Sequence, residues 1–150
     1  MKQAYRILAF LIAIAVAVQS SLAVWSIAGL GIWIDDGGVL SSQTLEDSSG
    51  GNPPFSEFAG FMLHGMNGTI VIPLLAIIFL VVSFFAKVPG GVKFAAITFG
   101  LVALQIALGL FGHSMSILGA LHGINALLLF SVAAMSGVRV RSAVAAPAVA

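Results

Sequence analysis

The sequence predicts an all-α integral membrane protein, a four-helix bundle made of two parallel helical-hairpin repeats, and three observations predict it. Of its 150 residues 60% are hydrophobic and 7% charged, against roughly 45–50% apolar and about 25% charged in soluble domains. The apolar residues gather into four runs near 7–33, 58–86, 94–112 and 116–138, each close to the ~20 residues that cross ~30 Å of hydrocarbon at 1.5 Å per residue. Finally, Leu63-His64-Gly65-Met66-Asn67-Gly68 recurs as Leu121-His122-Gly123-Ile124-Asn125-Ala126, an offset of 122 − 64 = 58 residues. The echo extends upstream, where Val16-Ala17-Val18-Gln19 matches Val102-Ala103-Leu104-Gln105. The repeated unit is therefore a pair of helices.

The first run follows Lys2 and Arg6 and continues to Ile34. Its basic start, apolar centre and Ser21-Leu22-Ala23 imitate the three parts of a cleaved leader. Removing it would destroy half of the repeat, so residues 1–141 are read as a single transmembrane domain. The connection over 35–56 is rich in Gly, Ser, Asp and Pro and reads as a polar outer loop suited to a partner contact. The second run carries Pro73, which is expected to kink the helix because it cannot donate to the carbonyl of Thr69. Lys87-Val88-Pro89-Gly90-Gly91-Val92-Lys93 is a turn into the third run, and His113-Ser114-Met115-Ser116 a turn into the fourth. Residues 142–150, Ala/Val-rich with a proline, read as a flexible cytoplasmic tail.

Every Lys and Arg (Lys2, Arg6, Lys87, Lys93, Arg139, Arg141) falls on one predicted side of the membrane, and every Asp and Glu (Asp35, Asp36, Glu46, Asp47, Glu57) on the other. The basic side is cytoplasmic by the positive-inside rule, and so are both termini. Trp25, Trp33 and Tyr5 lie toward the ends of the first run, where an aromatic belt would sit. The chain has no cysteine, which excludes a disulfide framework, a zinc–thiolate site and a cysteine-held iron–sulfur cluster. Redox chemistry would have to come from a bound cofactor.

Ionisable residues inside a membrane are rare and costly, which makes them functional candidates. His64 and His122 each lie about six residues into their helices, roughly 9 Å below the outer boundary at 1.5 Å per residue. Parallel hairpins related by an axis along the membrane normal would point both imidazoles at that axis, as two axial ligands of one haem iron. Gly65, Gly68, Gly119 and Gly123, with Gly60 and Ala126, would clear room for a flat macrocycle; the other reading makes them helix-packing residues. Asn67 and Asn125 lie one turn deeper on the same face, and Gln19 and Gln105 form a matching polar pair. These four either steady the histidines and cofactor or hydrogen-bond between helices. His113 has no repeat partner and is expected at the interface, solvated or touching a haem propionate.

The histidine of the second run, Leu104-Gln105-Ile106-Ala107-Leu108-Gly109 and Leu121-His122-Gly123-Ile124-Asn125-Ala126 resemble an uncharacterised family of small four-helix bacterial membrane proteins. They are also similar to one four-helix half of haem A synthase, over about residues 57–138. The resemblance implies a bacterial inner-membrane protein in which His64 and His122 occupy axial-ligand positions for haem b. Two residues depart from it: Gly65 stands where the family commonly has arginine, and Phe61 where haem A synthase has a glutamate. Without a carboxylate the oxygenase chemistry lacks its acid or base. Without the arginine, propionates would rely on Ser114, Ser116, His113, backbone, water or another subunit.

The expected function is a bis-histidine haem b cytochrome, passing electrons between a partner and a quinone or neighbouring membrane subunit, and not an enzyme by itself. The alternative is a non-redox accessory or anchor subunit with structural histidines, either within a larger complex or as a homo-oligomer. A small transporter or scaffold with a ligand at the repeat interface is the third reading. Nothing in the chain suggests nucleic acid binding, a phosphate loop, a nucleophile triad or a hydrolytic metal site.

Overall fold

A computed structural model describes residues 1–112 and 114–145. Among them the chain forms five helices and no strand: α1 (Lys2–Asp35), α2 (Ser42–Ser49), α3 (Ser56–Ala86), α4 (Gly91–Gly112) and α5 (Ser116–Ala145). Four of these, all but α2, are long and apolar enough to cross a membrane. Helix α1 begins earlier than the apolar run and α5 runs on to Ala145, past the expected end near 138. Lys, Arg and Ala are good helix formers, and Pro147 stands two residues beyond Ala145.

The helix ends follow from local chemistry. Gly37 adopts φ 95°, and the Gly38 amide donates to Trp33 while the Gly37 amide donates to Ile34, a Schellman ending of α1. The expected loop then contains α2, a short polar helix closed by a capping box. The Thr44 amide donates to Ser41 Oγ at 3.1 Å, and the Ser41 amide donates to Thr44 Oγ1 at 3.4 Å. Gly51, at φ 96°, ends it in the same manner, with Asn52 donating to the Asp47 carbonyl. Within α3 the turn Asn67–Val71 widens to π geometry directly ahead of Pro73. Proline has no amide to give the carbonyl four residues back, and the ladder re-registers there.

The residues gather into two compact units. One comprises 1–17 and 68–150, and its interior is lined by Ala9, Ala13, Ala76, Ala86, Ala95 and Ala133 around Tyr5, Ile12, Phe79, Val102 and Leu129. Lipid tails are as apolar as a leucine, so helices in a membrane gain from close packing rather than from escaping water. Small interior residues permit that approach, while Ile7, Phe84, Phe85, Leu110 and Leu127 remain on the outside. Gly137 of α5 takes the Phe10 ring of α1 so closely that a β-carbon there would lie 2.8 Å from it. Tyr5 is the polar hub of this unit. It is buried, donates to the Gly91 carbonyl at the start of α4 at 3.2 Å, meets Ser136 of α5, and lies with its ring centroid 4.6 Å from that of Phe79 of α3, the planes tilted by 45°.

The other unit comprises 18–67. Here Gly60 of α3 lies against Leu22 and Ser26 of α1, and Gly29 of α1 against the Glu57 side chain. Ser26 Oγ, fully buried, donates to the Glu57 carbonyl at 2.8 Å. Trp33, Phe55, Phe58 and Phe61 form a chain of ring contacts with centroids 5.6–5.7 Å apart.

Candidate functional site

Each repeated histidine belongs to a network with a glutamine and an asparagine, and the two networks share three bonds. In the 18–67 unit, Gln19 Nε2 donates to the His64 carbonyl at 2.8 Å, the His64 ring nitrogen Nδ1 lies 2.9 Å from the Gln19 carbonyl, and Asn67 Nδ2 donates to Gln19 Oε1 at 2.8 Å. In the other unit, Gln105 Nε2 donates to the His122 carbonyl at 3.1 Å, His122 Nδ1 lies 3.0 Å from the Gln105 carbonyl, and Asn125 Nδ2 donates to Gln105 Oε1 at 2.6 Å. The sequence pairs His with His, Gln with Gln and Asn with Asn; the hydrogen bonds pair them in the same way.

Backbone carbonyls fix the direction of every bond. A carbonyl only accepts, so the glutamine must turn its nitrogen toward the histidine backbone, leaving Oε1 to receive the asparagine amide. By the same rule the imidazole nitrogen facing the glutamine carbonyl carries the proton. In the neutral ring that leaves the lone pair on Nε2. A histidine whose far nitrogen donates to a carbonyl is the usual form of a metal-ligating imidazole, since the bond sets both tautomer and ring orientation.

The surroundings differ in detail. Asn125 is buried and also donates to the Leu101 carbonyl at 2.9 Å, which uses both its amide hydrogens, while its Oδ1 is buried with no hydrogen-bond partner. The His122 ring lies on Gly109, where a β-carbon would come 3.1 Å from Cε1 and 3.2 Å from Nδ1. Gly65, Gly119 and Gly123 are exposed, and a β-carbon on any of them would meet nothing within 4 Å. The Gly119 backbone nonetheless lies close to α4, where a β-carbon on Gly112 would come 3.4 Å from its amide nitrogen. Gly68 is half-buried in the π turn. Both histidines are half-buried.

Sequence reasoning placed glutamine and asparagine beside the histidines, and the structure brings them there. It missed that the glutamine backbone, rather than its side chain, receives the imidazole proton, and it missed Gly109. The signal for Gly109 was its place one turn after Gln105 on the same helical face. His113 and residues 146–150 lie outside the described residues, so the expected interfacial role of His113 and the far part of the tail fall there. Among the described residues no group of three or more His, Cys, Asp or Glu side chains is gathered as a metal site; two imidazoles are all that axial ligation of a haem requires. Compared with protein-family models, with curated proteins and with solved structures, the chain gives no match.

Proposed function

We propose that the chain is a membrane haem b protein in which His64 and His122 ligate iron through Nε2, as an axial pair. The observation that carries this reading is the duplicated Nδ1-to-carbonyl bond, at 2.9 Å from His64 and 3.0 Å from His122. It commits the lone pair of each ring to Nε2, the nitrogen a haem iron takes. Asn67 and Asn125 steady the glutamines that hold the rings. Bound haem b would supply one-electron chemistry, and ligation on both faces favours electron transfer over oxygen activation because no coordination position stays open.

The reading carries its topology with it. The two helix pairs are taken as parallel repeats, with the cationic ends cytoplasmic in a bacterial inner membrane. A quinone or a neighbouring subunit is the electron partner, because one haem near one face cannot span the bilayer alone.

A second reading is favoured by the same networks. The glutamine and histidine backbones are cross-linked whether or not a metal is present, which is what an accessory subunit with structural histidines would need. Colour separates the two. Protein purified in mild detergent with haem supplied is expected to show a Soret band and a reduced-minus-oxidised α band. His64→Ala and His122→Ala should each abolish the low-spin spectrum. An unpigmented wild type, or a low-spin spectrum kept in both variants, refutes the haem reading and leaves the accessory one.

A further inference from the structure

We infer that the cationic end of the 1–17 and 68–150 unit is a binding site for the headgroup of an anionic phospholipid. All six Lys and Arg residues belong to this unit, and it contains no Asp or Glu. No Asp or Glu side chain of the unit is therefore available to pair with its cations, and an anion from outside can complement their charge.

Tyr5 gathers the cations. Its bond to Gly91, its tilted ring contact with Phe79 and its contact with Ser136 bring the first turn of α1, the last two turns of α3, the start of α4 and the last turns of α5 to one end of the unit. Lys2 and Arg6 flank Tyr5 on α1, Lys87 and Lys93 bracket the turn that ends at Gly91, and Arg139 lies one turn after Ser136. Lys2, Lys87, Lys93 and Arg139 are exposed. The Arg139 guanidinium is held 4.6 Å over the Phe94 ring, which fixes a helix-end cation on α5 beside α4. Pre-positioned cations lose less freedom on binding than free side chains do.

The occupant is an amphiphile rather than a small soluble anion because the cations alternate with exposed apolar side chains. Ile7 follows Arg6, Phe84 and Phe85 precede Lys87, Val92 precedes Lys93 and Val138 precedes Arg139. A phospholipid meets both features at once, phosphate on the cations and acyl chain along the neighbouring apolar surface. Basic pockets between transmembrane helices hold anionic headgroups in this manner.

The test is lipid retention by native mass spectrometry of the full chain in mild detergent, titrated separately with phosphatidylglycerol, phosphatidylcholine and glycerol 3-phosphate. Wild type should retain phosphatidylglycerol well above phosphatidylcholine. Lys93→Gln should reduce that preference roughly fivefold and Lys2→Gln/Lys93→Gln roughly 25-fold, at about 1 kcal/mol for each basic residue near the surface. Arg139→Gln should act likewise, whereas Glu46→Gln, in the other unit, should not. Far-ultraviolet circular dichroism establishes that each variant is folded, and Lys93→Gln, at an exposed position, keeps the test decisive if Arg139→Gln unfolds. Equal retention of the two lipids by wild type overturns the inference, as does an equal loss in Glu46→Gln. Displacement of phosphatidylglycerol by glycerol 3-phosphate at comparable concentration also overturns it, because the site would then be one for a free phosphate.

Discussion

Gln105 and His122 hold each other twice, side chain to backbone in both directions: Gln105 Nε2 donates to the His122 carbonyl at 3.1 Å, and His122 Nδ1 donates to the Gln105 carbonyl at 3.0 Å. A reciprocal pair of this kind leaves neither side chain a choice of rotamer without breaking a bond across helices. In hydrocarbon, where no water replaces a lost partner, such a pair is a constraint on geometry as well as a source of stability.

Gln105→Ala removes one donor to His122 and the acceptor for Asn125. At an average of about 0.6 kcal/mol for an interhelical hydrogen bond in a membrane, it should cost about 1 kcal/mol. Gln19→Ala should cost a similar amount, since its bonds are the same in kind. Unfolding in mixed micelles by added dodecyl sulfate measures both, and a loss confined to one of the two glutamines would show the networks to be energetically unlike.

The His122 ring occupies the space that Gly109 leaves. Gly109→Ala puts a methyl group 3.1 Å from Cε1 and 3.2 Å from Nδ1, so the ring must move or the helices must part, at a cost of about 1 kcal/mol or more. Nitrogen-15 spectra of histidine-labelled protein should report both rings of the wild type protonated at Nδ1. In Gly109→Ala the His122 signals should shift while those of His64 stay in place.

Two other glycines test whether a close contact can be relieved. Gly137→Ala meets the Phe10 ring at 2.8 Å and should destabilise by about 1–3 kcal/mol; Phe10→Leu, which shortens the opposing side chain, should restore most of the loss. Gly60→Ala meets the Leu22 carbonyl oxygen at 2.7 Å, and backbone has no rotamer to give. It should cost more than Gly137→Ala, and Ser26→Ala, which removes the nearer Ser26 Oγ, should recover only part of the loss. Thermal unfolding in detergent ranks the four variants.

Ser41→Ala deletes the cap of α2. Losing the bond from the Thr44 amide at 3.1 Å should cost about 1 kcal/mol, felt within α2 alone. Hydrogen exchange of the amides from Thr44 to Ser48 should quicken, while the global unfolding midpoint stays where it was.

The four long helices were legible because hydrophobic runs of spanning length admit few other structures. Their ends were not: Lys2 to Arg6 is too polar to count toward a hydrophobic run, yet its residues are good helix formers and Tyr5 is tied to Gly91 by a bond that only the folded chain supplies. Helix α2 was invisible to hydropathy because every residue of it but Leu45 is polar. Its signature was the cap, with threonine in place of the usual glutamate or glutamine three residues after Ser41. Pro73 announced a disturbance in α3, although its form, a π turn that carries Asn67, depended on where the hydrogen bonds could be re-made. The repeat located the histidines, glutamines and asparagines. The backbone carbonyls that orient them leave no mark on the sequence, since every residue has one.

Tyr5 also sets an order of assembly. It lies in α1, but its acceptor at Gly91 comes 86 residues later, and Ser136 stands later still. The first helix must therefore wait in the membrane, its tyrosine hydroxyl without those partners, until α4 and α5 have entered. The Tyr5 end of α1 can complete its contacts only after Gln19 and Ser26, whose acceptors at His64 and Glu57 come earlier in the chain.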